Sequence, residues 1–454
     1  MQKVFIKTYG CQMNERDSEA VASKLQARGY QLVSDETLAD VILLNTCSVR
    51  EQAEKKAIGK ASHLVANRRK KNKKLILGVM GCMAQNKGDQ ILKSLPEVDL
   101  VVGTQQFHRV PQYLDEIVSS KKGESSSENL QIIQLQEEKG SQNQIRDHLP
   151  QSTKKASAFV SIMQGCNMKC SFCIVPKTRG RERYRSISDI VEEAKGLSLK
   201  GVKEITLLGQ IVNAYGRGEF PRVNGLSPFV QLLGALHEID GIQRIRFTSP
   251  HPASFDQDLV DAFARLEKLG HYAHLPMQSG SNRILKSMNR PYSIERFQNI
   301  VKSLRTICPK IRLSTDIIVG YPGETEEDFN LTKEAFETAG FEMGFIFKYS
   351  ERAGTPATIY PDKVPQEVKE QRNQELLSLL EKQSLASNLK LIGNKMEILV
   401  ESAARKGNGD FLGRTKCFRK VLFPGHQDLV GELIEVDIQE ANPGGLRATP
   451  SSLF

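Results

Sequence analysis

The chain contains 454 residues, eight of them cysteines, and carries a formal net charge of +10. A chain of this length is too long to fold around one ordinary hydrophobic core, so we expect about two or three domains. No stretch approaches the ~20 apolar residues of a membrane span, and a strand-like segment follows Met1 too closely to leave room for a signal or transit peptide. We therefore expect a soluble, cytoplasmic protein with no membrane partner, whose cysteines are reduced or bound to metal.

The positive charge favours a polyanionic partner, because each neutralised phosphate releases counterions. Charge alone is a weak indication of nucleic-acid binding. The basic run at residues 67–74, for example, is equally typical of a solvated surface segment.

Residues 1–120 alternate between short apolar runs, typical of strands, and amphipathic stretches, typical of helices. The predicted strands are residues 4–8, 41–45, 75–80 and 99–103. Between the first two strands, Asn14 can cap a helix that ends at Gly29. Strands that alternate with helices predict an α/β domain with a doubly wound parallel sheet.

Three cysteines follow the first three of these strands, namely Cys11, Cys47 and Cys82. The carboxyl ends of parallel strands meet at one edge of a sheet, where open α/β sheets bind their ligands. A zinc site would lack a fourth ligand, whereas a 4Fe-4S cluster with one open iron fits three thiolates. The alternative is three buried free cysteines, which are common in protein cores.

Residues 121–155 are rich in Ser, Gln, Glu and Lys and predict a polar linker. The alternation then returns in a central domain at residues 156–388, with predicted strands at residues 159–163, 204–208, 244–248, 272–276, 313–319 and 344–349. Six such repeats favour a partial (βα)6 barrel with its site at the carboxyl ends of the strands. Polar, glycine-rich segments follow four of the strands, although such segments are also typical of plain turns.

The run MQGCNMKCSFCIVP contains a Cys-x3-Cys-x2-Cys triplet formed by Cys166, Cys170 and Cys173. Three thiolates leave one iron of a 4Fe-4S cluster open to a small molecule, whereas a structural zinc site needs a fourth ligand. A zinc knuckle or three chance thiols in a loop is the alternative. The spacing, with Phe172 before the last cysteine, resembles the radical S-adenosylmethionine superfamily. That resemblance implies that S-adenosylmethionine binds the open iron.

The C-terminal segment, residues 389–454, has alternating apolar residues and regularly placed glycines that predict a small five-stranded β-barrel. Such barrels often bind nucleic acid. The basic residues that favour this reading are Arg405, Lys406, Arg414, Lys416, Arg419 and Lys420. A plain capping domain is the alternative.

Two three-cysteine sites in this order, followed by a small β-barrel, resemble the radical S-adenosylmethionine methylthiotransferases across essentially the whole chain. The motifs that carry the resemblance are TYGCQMN (8–14), NTCSVRE (45–51), GCMAQ (81–85), GCNMKCSFCIVPKTRGRER (165–183), LLGQIVNAYG (207–216), MQSGSN (277–282), STDIIVGYPGET (314–325) and LGRT (412–415). The resemblance implies an auxiliary 4Fe-4S cluster in residues 1–120 and an RNA-binding TRAM domain in residues 389–454.

The run CSVRE after the second cysteine resembles the branch of this family that acts on tRNA bearing dimethylallyl adenosine. The residues that carry this assignment are Ser48, Val49, Arg50 and Glu51. The implied reaction is methylthiolation of carbon 2 of N(6)-dimethylallyladenosine at position 37, next to the anticodon. The alternatives are methylthiolation of threonylcarbamoyl adenosine in tRNA or of ribosomal protein S12, and a noncatalytic RNA-binding metalloprotein.

Carbon 2 of adenine is unactivated, so a radical supplied by a cofactor is a plausible route to replacing its hydrogen with sulfur. The resemblance implies that S-adenosylmethionine is used twice, once to methylate a sulfur held on the auxiliary cluster and once to yield the radical. An electron donor and a sulfur donor are therefore implied partners. The resemblance implies no catalytic side chain beyond the cluster ligands.

By the same resemblance, Phe172 packs near the cofactor adenine, and three rim residues hold the cofactor's polar groups: Gln210, Asn213 and Gln278. A turn role is an equal alternative for Gln278. The loop after the triplet carries four arginines that can meet cofactor carboxylate or tRNA phosphate, or remain solvated: Arg179, Arg181, Arg183 and Arg185. Cys308 and Cys417 are predicted to be unligated. The chain departs from the common family pattern at Ile211, Tyr184 and Phe418.

Overall fold

The computed structural model of the protein describes residues 2–48, 51–71, 75–122, 130–149, 156–404 and 409–451. The chain forms two compact units. The first comprises residues 1–150, 161–168 and 173–185, and the second comprises residues 151–160, 169–172 and 186–454. Within the described residues, no helix has both the length and the apolar character needed to cross a membrane.

The first unit is built on a six-stranded sheet of parallel strands in the order β2-β1-β3-β4-β5-β6. Its strands are β1 (Lys3–Tyr9), β2 (Gln31–Leu32), β3 (Val41–Thr46), β4 (Ile76–Gly81), β5 (Leu100–Val102) and β6 (Ile132–Gln134). Its helices are α1 (Gln12–Ala27), α2 (Glu51–Lys71), α3 (Cys82–Ser94) and α4 (Val110–Lys122). Every residue of β3 and β4 is buried, as expected for central strands covered on both faces.

Separate apolar clusters form on the two faces of this sheet. One includes Val21 and Leu25 of α1 with Leu114 of α4, and the other includes Ala57 of α2 with Met83 of α3. Helices therefore cover both faces, which confirms the predicted doubly wound parallel sheet.

Strand β6 lies inside the segment for which the sequence predicts a polar linker. Its residue Ile132 pairs with Leu100 of β5, and Ile132 is buried. A three-residue strand at the edge of a sheet needs few apolar side chains, because backbone hydrogen bonds on one side hold it. Composition alone therefore misses it. Residues 123–129 and 150–155 of the predicted linker lie outside the described residues.

The next elements are β7 (Ser157–Ser161), β8 (Met163–Gln164), α5 (Val175–Arg179) and β9 (Arg183–Tyr184). Strands β8 and β9 form an antiparallel pair in the first unit, with Met163 opposite Tyr184. Helix α5 is followed by Gly180 as its C-cap, and Gly180 has a φ of 73°. The cysteine triplet lies between β8 and α5.

The second unit contains two three-stranded groups, β11-β10-β7 and β12-β13-β14. The added strands are β10 (Glu204–Leu208), β11 (Arg244–Phe247), β12 (Tyr272–His274), β13 (Arg312–Val319) and β14 (Met343–Lys348). Helices connect them: α6 (Ile187–Leu199), α7 (Pro228–His237), α8 (Gln257–Arg265), α9 (Asn282–Ser287), α10 (Ile294–Ile307) and α11 (Glu326–Ala339). The six strands confirm the predicted partial (βα)6 barrel.

Helix α12 (Gln366–Leu389) leads to a closed barrel with the strand order β15-β16-β17-β19-β18. Its strands are β15 (Lys395–Ala403), β16 (Asp410–Thr415), β17 (Lys420–Pro424), β18 (Leu433–Asn442) and β19 (Gly445–Pro450). Residues such as Ile398, Val421 and Val436 fill its core. The small five-stranded barrel predicted from the sequence is therefore confirmed.

Buried arginines at the amino-terminal ends of the central strands attach this barrel to the second unit. Arg244 Nη1 donates to the carbonyl of Arg414 at 2.6 Å, and Arg246 Nη2 donates to the carbonyl of Thr415 at 2.9 Å. The small barrel therefore docks at the end of the partial barrel opposite the rim that carries the predicted site.

Candidate functional site

The three N-terminal cysteines lie at the carboxyl ends of neighbouring strands. Cys11 follows β1 and is the N-cap of α1, Cys47 follows β3, and Cys82 follows β4 as the first residue of α3. The positive ends of α1 and α3 therefore face this edge of the sheet, which favours an anionic group there.

Hydrogen bonding and charge act on these thiols directly. A hydrogen bond with Cys47 lowers the pKa of Cys11 to about 6 against the opposing effect of burial, and the charge of Arg179 contributes to the lowering. Burial raises the pKa of Cys82, while Arg179 opposes that rise. Cys11 therefore lies close to Cys47, and the charge of Arg179 affects both Cys11 and Cys82.

Two asparagines fix the loops that carry Cys11 and Cys47. Asn14 Oδ1 accepts from both the backbone N and the Sγ of Cys11 at 3.3 Å. Asn14 Nδ2 donates to Asn45 Oδ1 at 3.1 Å, and Asn45 Nδ2 donates back to the carbonyl of Asn14 at 2.9 Å. The sequence predicted only a capping role for Asn14 and none for Asn45. Both asparagines are fully buried. The burial of a polar side chain beside a cysteine is a property that the amino-acid composition does not reveal.

Glycines before two of the cysteines allow this packing. A Cβ on Gly10 would lie 2.9 Å from Cys47 Cβ, and Gly81 has a φ of 102°. A Cβ on Gly81 would also lie 2.8 Å from the carbonyl oxygen of Thr46. The glycine that precedes cysteine in TYGC and in MGC is therefore required by close approach.

A buried ion pair lies beside these cysteines within the first unit. Arg179 Nη2 donates to Asp17 Oδ2 at 2.7 Å, and the two side chains are 3% and 0% exposed. Asp17 lies on the buried face of α1 with Met13 and Ala20. In the sequence, Asp17 is a charged residue on the face of α1 that is otherwise expected to be buried, and this indicates that it has a buried partner. Arg179 thus lies in the interior, whereas the sequence allowed a contact with cofactor, with tRNA or with solvent.

The other arginines of this loop differ in exposure. Arg181 is exposed, whereas Arg185 is buried and donates to the carbonyl of Ser161 at 2.8 Å. Arg183 is half-buried and donates to Gln164 Oε1 at 3.3 Å.

The cysteine triplet is divided between the two units, with Cys166 and Cys173 in the first and Cys170 in the second. In the first unit, Cys166 is buried, its Sγ accepts from the backbone N of Met168 at 3.4 Å, and Cys173 is half-buried. In the second unit, buried Cys170 Sγ accepts from Arg290 Nη1 at 3.5 Å. A guanidinium beside the sulfur suits a ligand that binds as a thiolate.

Among the described residues, no three His, Cys, Asp or Glu side chains are grouped closely enough to hold a single metal ion. A 4Fe-4S cube binds each cysteine to a different iron, so its ligands stand further apart than those of one ion. The thiol-only donor sets, the adjoining helix N-termini and the neighbouring guanidinium groups fit anionic iron-sulfur clusters better than a zinc ion.

The predicted cofactor contacts lie in the second unit. Phe172 packs against an apolar cluster that includes Ile284, Met288 and Tyr321. Gln210 is half-buried on the rim. Gln278 has a φ of 64°, and its backbone pairs with β13 through Asp316 and Ile318. Such a conformation in a residue other than glycine is uncommon and points to a functional constraint.

Both ends of the Asn213 amide are engaged with the next rim loop. Its Nδ2 donates to the carbonyl of His251 at 2.9 Å, and its Oδ1 accepts from the backbone N of His251 at 2.8 Å. Burial, followed by the charges of Arg290 and Arg217, lowers the pKa of His251 to about 2. Asn213 therefore joins two rim loops around a neutral histidine.

The basic residues of the C-terminal barrel are only partly on its surface. Arg419 is buried and donates to Ser387 Oγ at 2.9 Å, and Arg414 Nε donates to Glu401 Oε1 at 2.7 Å. Lys420 is exposed and Lys416 half-buried. Arg405 and Lys406 lie outside the described residues, as do Val49 and Arg50 of the CSVRE run.

The two cysteines predicted to be unligated are both in the second unit. Cys308 is buried, and half-buried Cys417 shares a hydrogen bond with Thr415 Oγ1 at 3.2 Å.

Family comparisons match three consecutive parts of the chain. Residues 3–103 match the Uncharacterized protein family UPF0004, residues 160–336 match the Radical SAM superfamily, and residues 389–450 match the TRAM domain. The radical SAM match implies a 4Fe-4S cluster and S-adenosylmethionine for the central domain.

The chain is similar over nearly its whole length to proteins named tRNA-2-methylthio-N(6)-dimethylallyladenosine synthase. The relative from Opitutus terrae is 53% identical, with 97% of this chain and 96% of the relative covered. The relative from Akkermansia muciniphila is 48% identical, with 99% of each chain covered.

A solved structure shares the fold at low sequence identity. It is the radical S-adenosylmethionine methyltransferase TsrM from Kitasatospora setae, with tryptophan substrate and a S-adenosylmethionine analogue bound. The TM-score is 0.57 at 12% identity, with 79% of this chain and 75% of that chain covered.

Proposed function

Because the chain belongs to the tRNA-2-methylthio-N(6)-dimethylallyladenosine synthase family, within the radical SAM superfamily, we propose that it methylthiolates carbon 2 of N(6)-dimethylallyladenosine at position 37 of tRNA. The observation that carries this proposal is the convergence of Cys11, Cys47 and Cys82 at one sheet edge, in a chain that also has the radical SAM triplet. A second three-thiol centre gives such an enzyme a place to hold sulfur.

Each cluster is assigned to one set of cysteines. Cys166, Cys170 and Cys173 would hold the radical SAM cluster, and Cys11, Cys47 and Cys82 would hold the auxiliary cluster. When bound, the first cluster with S-adenosylmethionine would supply a radical that activates carbon 2, and the second would supply the sulfur.

The protein's own residues hold these groups in place. Arg290 donates to the Cys170 sulfur, and Asn14 donates to Asn45 while accepting from Cys11. The link between Asn213 and His251 keeps two rim loops at the carboxyl end of the partial barrel together. We assign Phe172, Gln210, Asn213 and Gln278 to the surroundings of S-adenosylmethionine.

The substrate tRNA is assigned to the C-terminal domain. A match to the TRAM domain and the net charge of +10 support binding of a polyanion. Exposed Lys420 is available to phosphate, whereas buried Arg419 serves the attachment of the barrel. The proposal also places the enzyme in the cytoplasm and requires an electron donor and a sulfur donor.

The modified nucleosides of a strain that lacks the protein test this function. We expect dimethylallyl adenosine to accumulate without its methylthio group, and a plasmid copy of the gene to restore the methylthio form. An unchanged content of methylthio-dimethylallyl adenosine would contradict the proposal. Loss of the methylthio group from threonylcarbamoyl adenosine or from ribosomal protein S12 would instead reassign the substrate.

A further inference from the structure

A buried cation without a full set of partners lies beside the N-terminal thiols. The Arg179 guanidinium is 3% exposed, and Nη2 donates to Asp17. Among the described residues, buried Arg179 Nη1 makes no hydrogen bond of normal geometry, although the guanidinium interacts with the Cys82 side chain. A buried donor that is so weakly paired is costly, which favours a stronger acceptor at this position.

The local fold directs Arg179 towards the cysteines. Helix α5, which ends with Arg179, packs against α3, which begins with Cys82. Asp17 lies on α1, whose N-cap is Cys11. The carbonyl of Thr178 accepts from Thr104 Oγ1 at 2.7 Å and fixes the end of α5. Arg179 therefore pairs with α1, whose N-cap is Cys11, and ends a helix that packs against α3, whose first residue is Cys82.

Of the two charged groups in the pair, the guanidinium is the one on the helix that packs against α3, which begins with Cys82. An iron-sulfur cluster with three thiolates is anionic, and one-electron reduction makes it more so. A nearby buried guanidinium stabilises the reduced state most, because little water screens the charge.

We propose that Arg179 is a positioning residue of the auxiliary cluster, in which Nη1 donates a hydrogen bond to a cluster sulfur and the guanidinium charge raises the cluster's reduction potential. This inference rests on the auxiliary cluster proposed above. It also gives a role to the loop after the radical SAM triplet, since Arg179 follows Cys173 by only six positions.

The test uses the full-length chain in which Cys166, Cys170 and Cys173 are replaced by alanine, so that only the auxiliary cluster remains. Its midpoint potential is measured by redox titration monitored by electron paramagnetic resonance. At a fixed potential, we expect R179Q to lower the ratio of reduced to oxidised cluster at least tenfold. For one electron, this change corresponds to a midpoint potential that is lower by about 59 mV. R179K keeps the charge and should retain most of the potential.

Two further variants separate this role from a structural one. R181Q removes an exposed charge from the same loop and should leave the potential unchanged. D17N leaves the guanidinium uncompensated and should raise the potential, opposite in sign to R179Q. If R179Q fails to fold, R179K and D17N decide the question.

A potential that is the same in the parent and in R179Q, at equal iron content, would overturn the role of Arg179. A potential that moves in the same direction in R179Q and D17N would also overturn it, because mere disruption of the pair would explain that result. Absence of any cluster from the parent variant would instead contradict the auxiliary cluster of the proposed function, and Arg179 with it.

Discussion

Asn14 Nδ2 donates to Asn45 Oδ1 at 3.1 Å, and this bond joins the first turn of α1 to the end of β3. Asn45 also donates to Ser18 Oγ at 2.9 Å, so the amides form a buried network beneath Cys11 and Cys47. Because every polar atom in such a network depends on its partners, the spacing of the two cysteines depends on both asparagines.

Replacing Asn14 with alanine should destabilise the first unit by about 1–3 kcal/mol, because Asn45 Oδ1 loses a buried donor and Cys11 loses its acceptor. We also expect less iron at the auxiliary site after anaerobic reconstitution. Chemical denaturation and iron analysis measure the two effects. Asn143→Ala, at an exposed position, is the matched control and should change neither. Equal stability and iron content in both variants would show that the amide network is dispensable.

Replacing Gly81 with alanine should lower the thermal unfolding midpoint. Its φ of 102° is unfavourable for a side chain, and the new Cβ would meet the carbonyl of Thr46. Strain of this kind costs about 1–3 kcal/mol. Gly59→Ala, in the exposed part of α2 where a Cβ has open space, should be neutral or stabilising. A Gly81→Ala protein as stable as the parent would contradict the assigned backbone.

The neutral state of His251 predicts a pH dependence of stability. Its folded pKa of about 2 lies below the ordinary value of about 6.5, so the unfolded chain binds the proton more readily. The stabilisation is therefore fully present above pH ~6.5 and is lost as pH falls below it, at up to about 1.4 kcal/mol per pH unit. Denaturant unfolding between pH 7.5 and 5.5 should show a smaller loss for His251→Asn than for the parent. Identical slopes would contradict the buried neutral histidine.

Replacing Phe418 with asparagine separates backbone strain from packing. Phe418 has a φ of 66°, which suits asparagine better. Its ring, however, lies 4.9 Å from the ring of Tyr272 and within 4.3 Å and 4.8 Å of the guanidinium carbons of Arg414 and Arg246. We expect the loss of these contacts to prevail, with a net destabilisation of about 1–3 kcal/mol by chemical denaturation. Greater stability of the variant would show that strain prevails.

The regular elements were predictable because apolar periodicity reports burial directly. The predicted strand at residues 204–208 coincides with β10, and the predicted start at residue 244 is the start of β11. Strand β6 was missed because a short edge strand relies on backbone hydrogen bonds, which leave little trace in composition.

The positions of the cysteines in the candidate site were predictable from the sequence. The contacts of the residues that pack around those cysteines were not. The positions of Cys11, Cys47 and Cys82 after strands followed from parallel-sheet geometry. The burial of Arg179 depends on its pairing with Asp17, which is distant in sequence. A charged residue on the buried face of α1 indicates that a buried partner exists, but not that the partner is Arg179. Likewise, the charge of Arg419 predicted a surface role, whereas its contacts with Ser387 and Glu342 hold it inside.

The division of labour between two clusters is the central claim, and one pair of anaerobic assays tests it most directly. Reconstituted Cys11→Ala and Cys166→Ala proteins are incubated with reductant, S-adenosylmethionine and tRNA bearing dimethylallyl adenosine, and 5'-deoxyadenosine and methylthiolated nucleoside are both quantified. We predict that Cys11→Ala still releases 5'-deoxyadenosine but forms no methylthio product, whereas Cys166→Ala gives neither. Loss of 5'-deoxyadenosine in both proteins, or methylthio product from Cys11→Ala, would contradict the account.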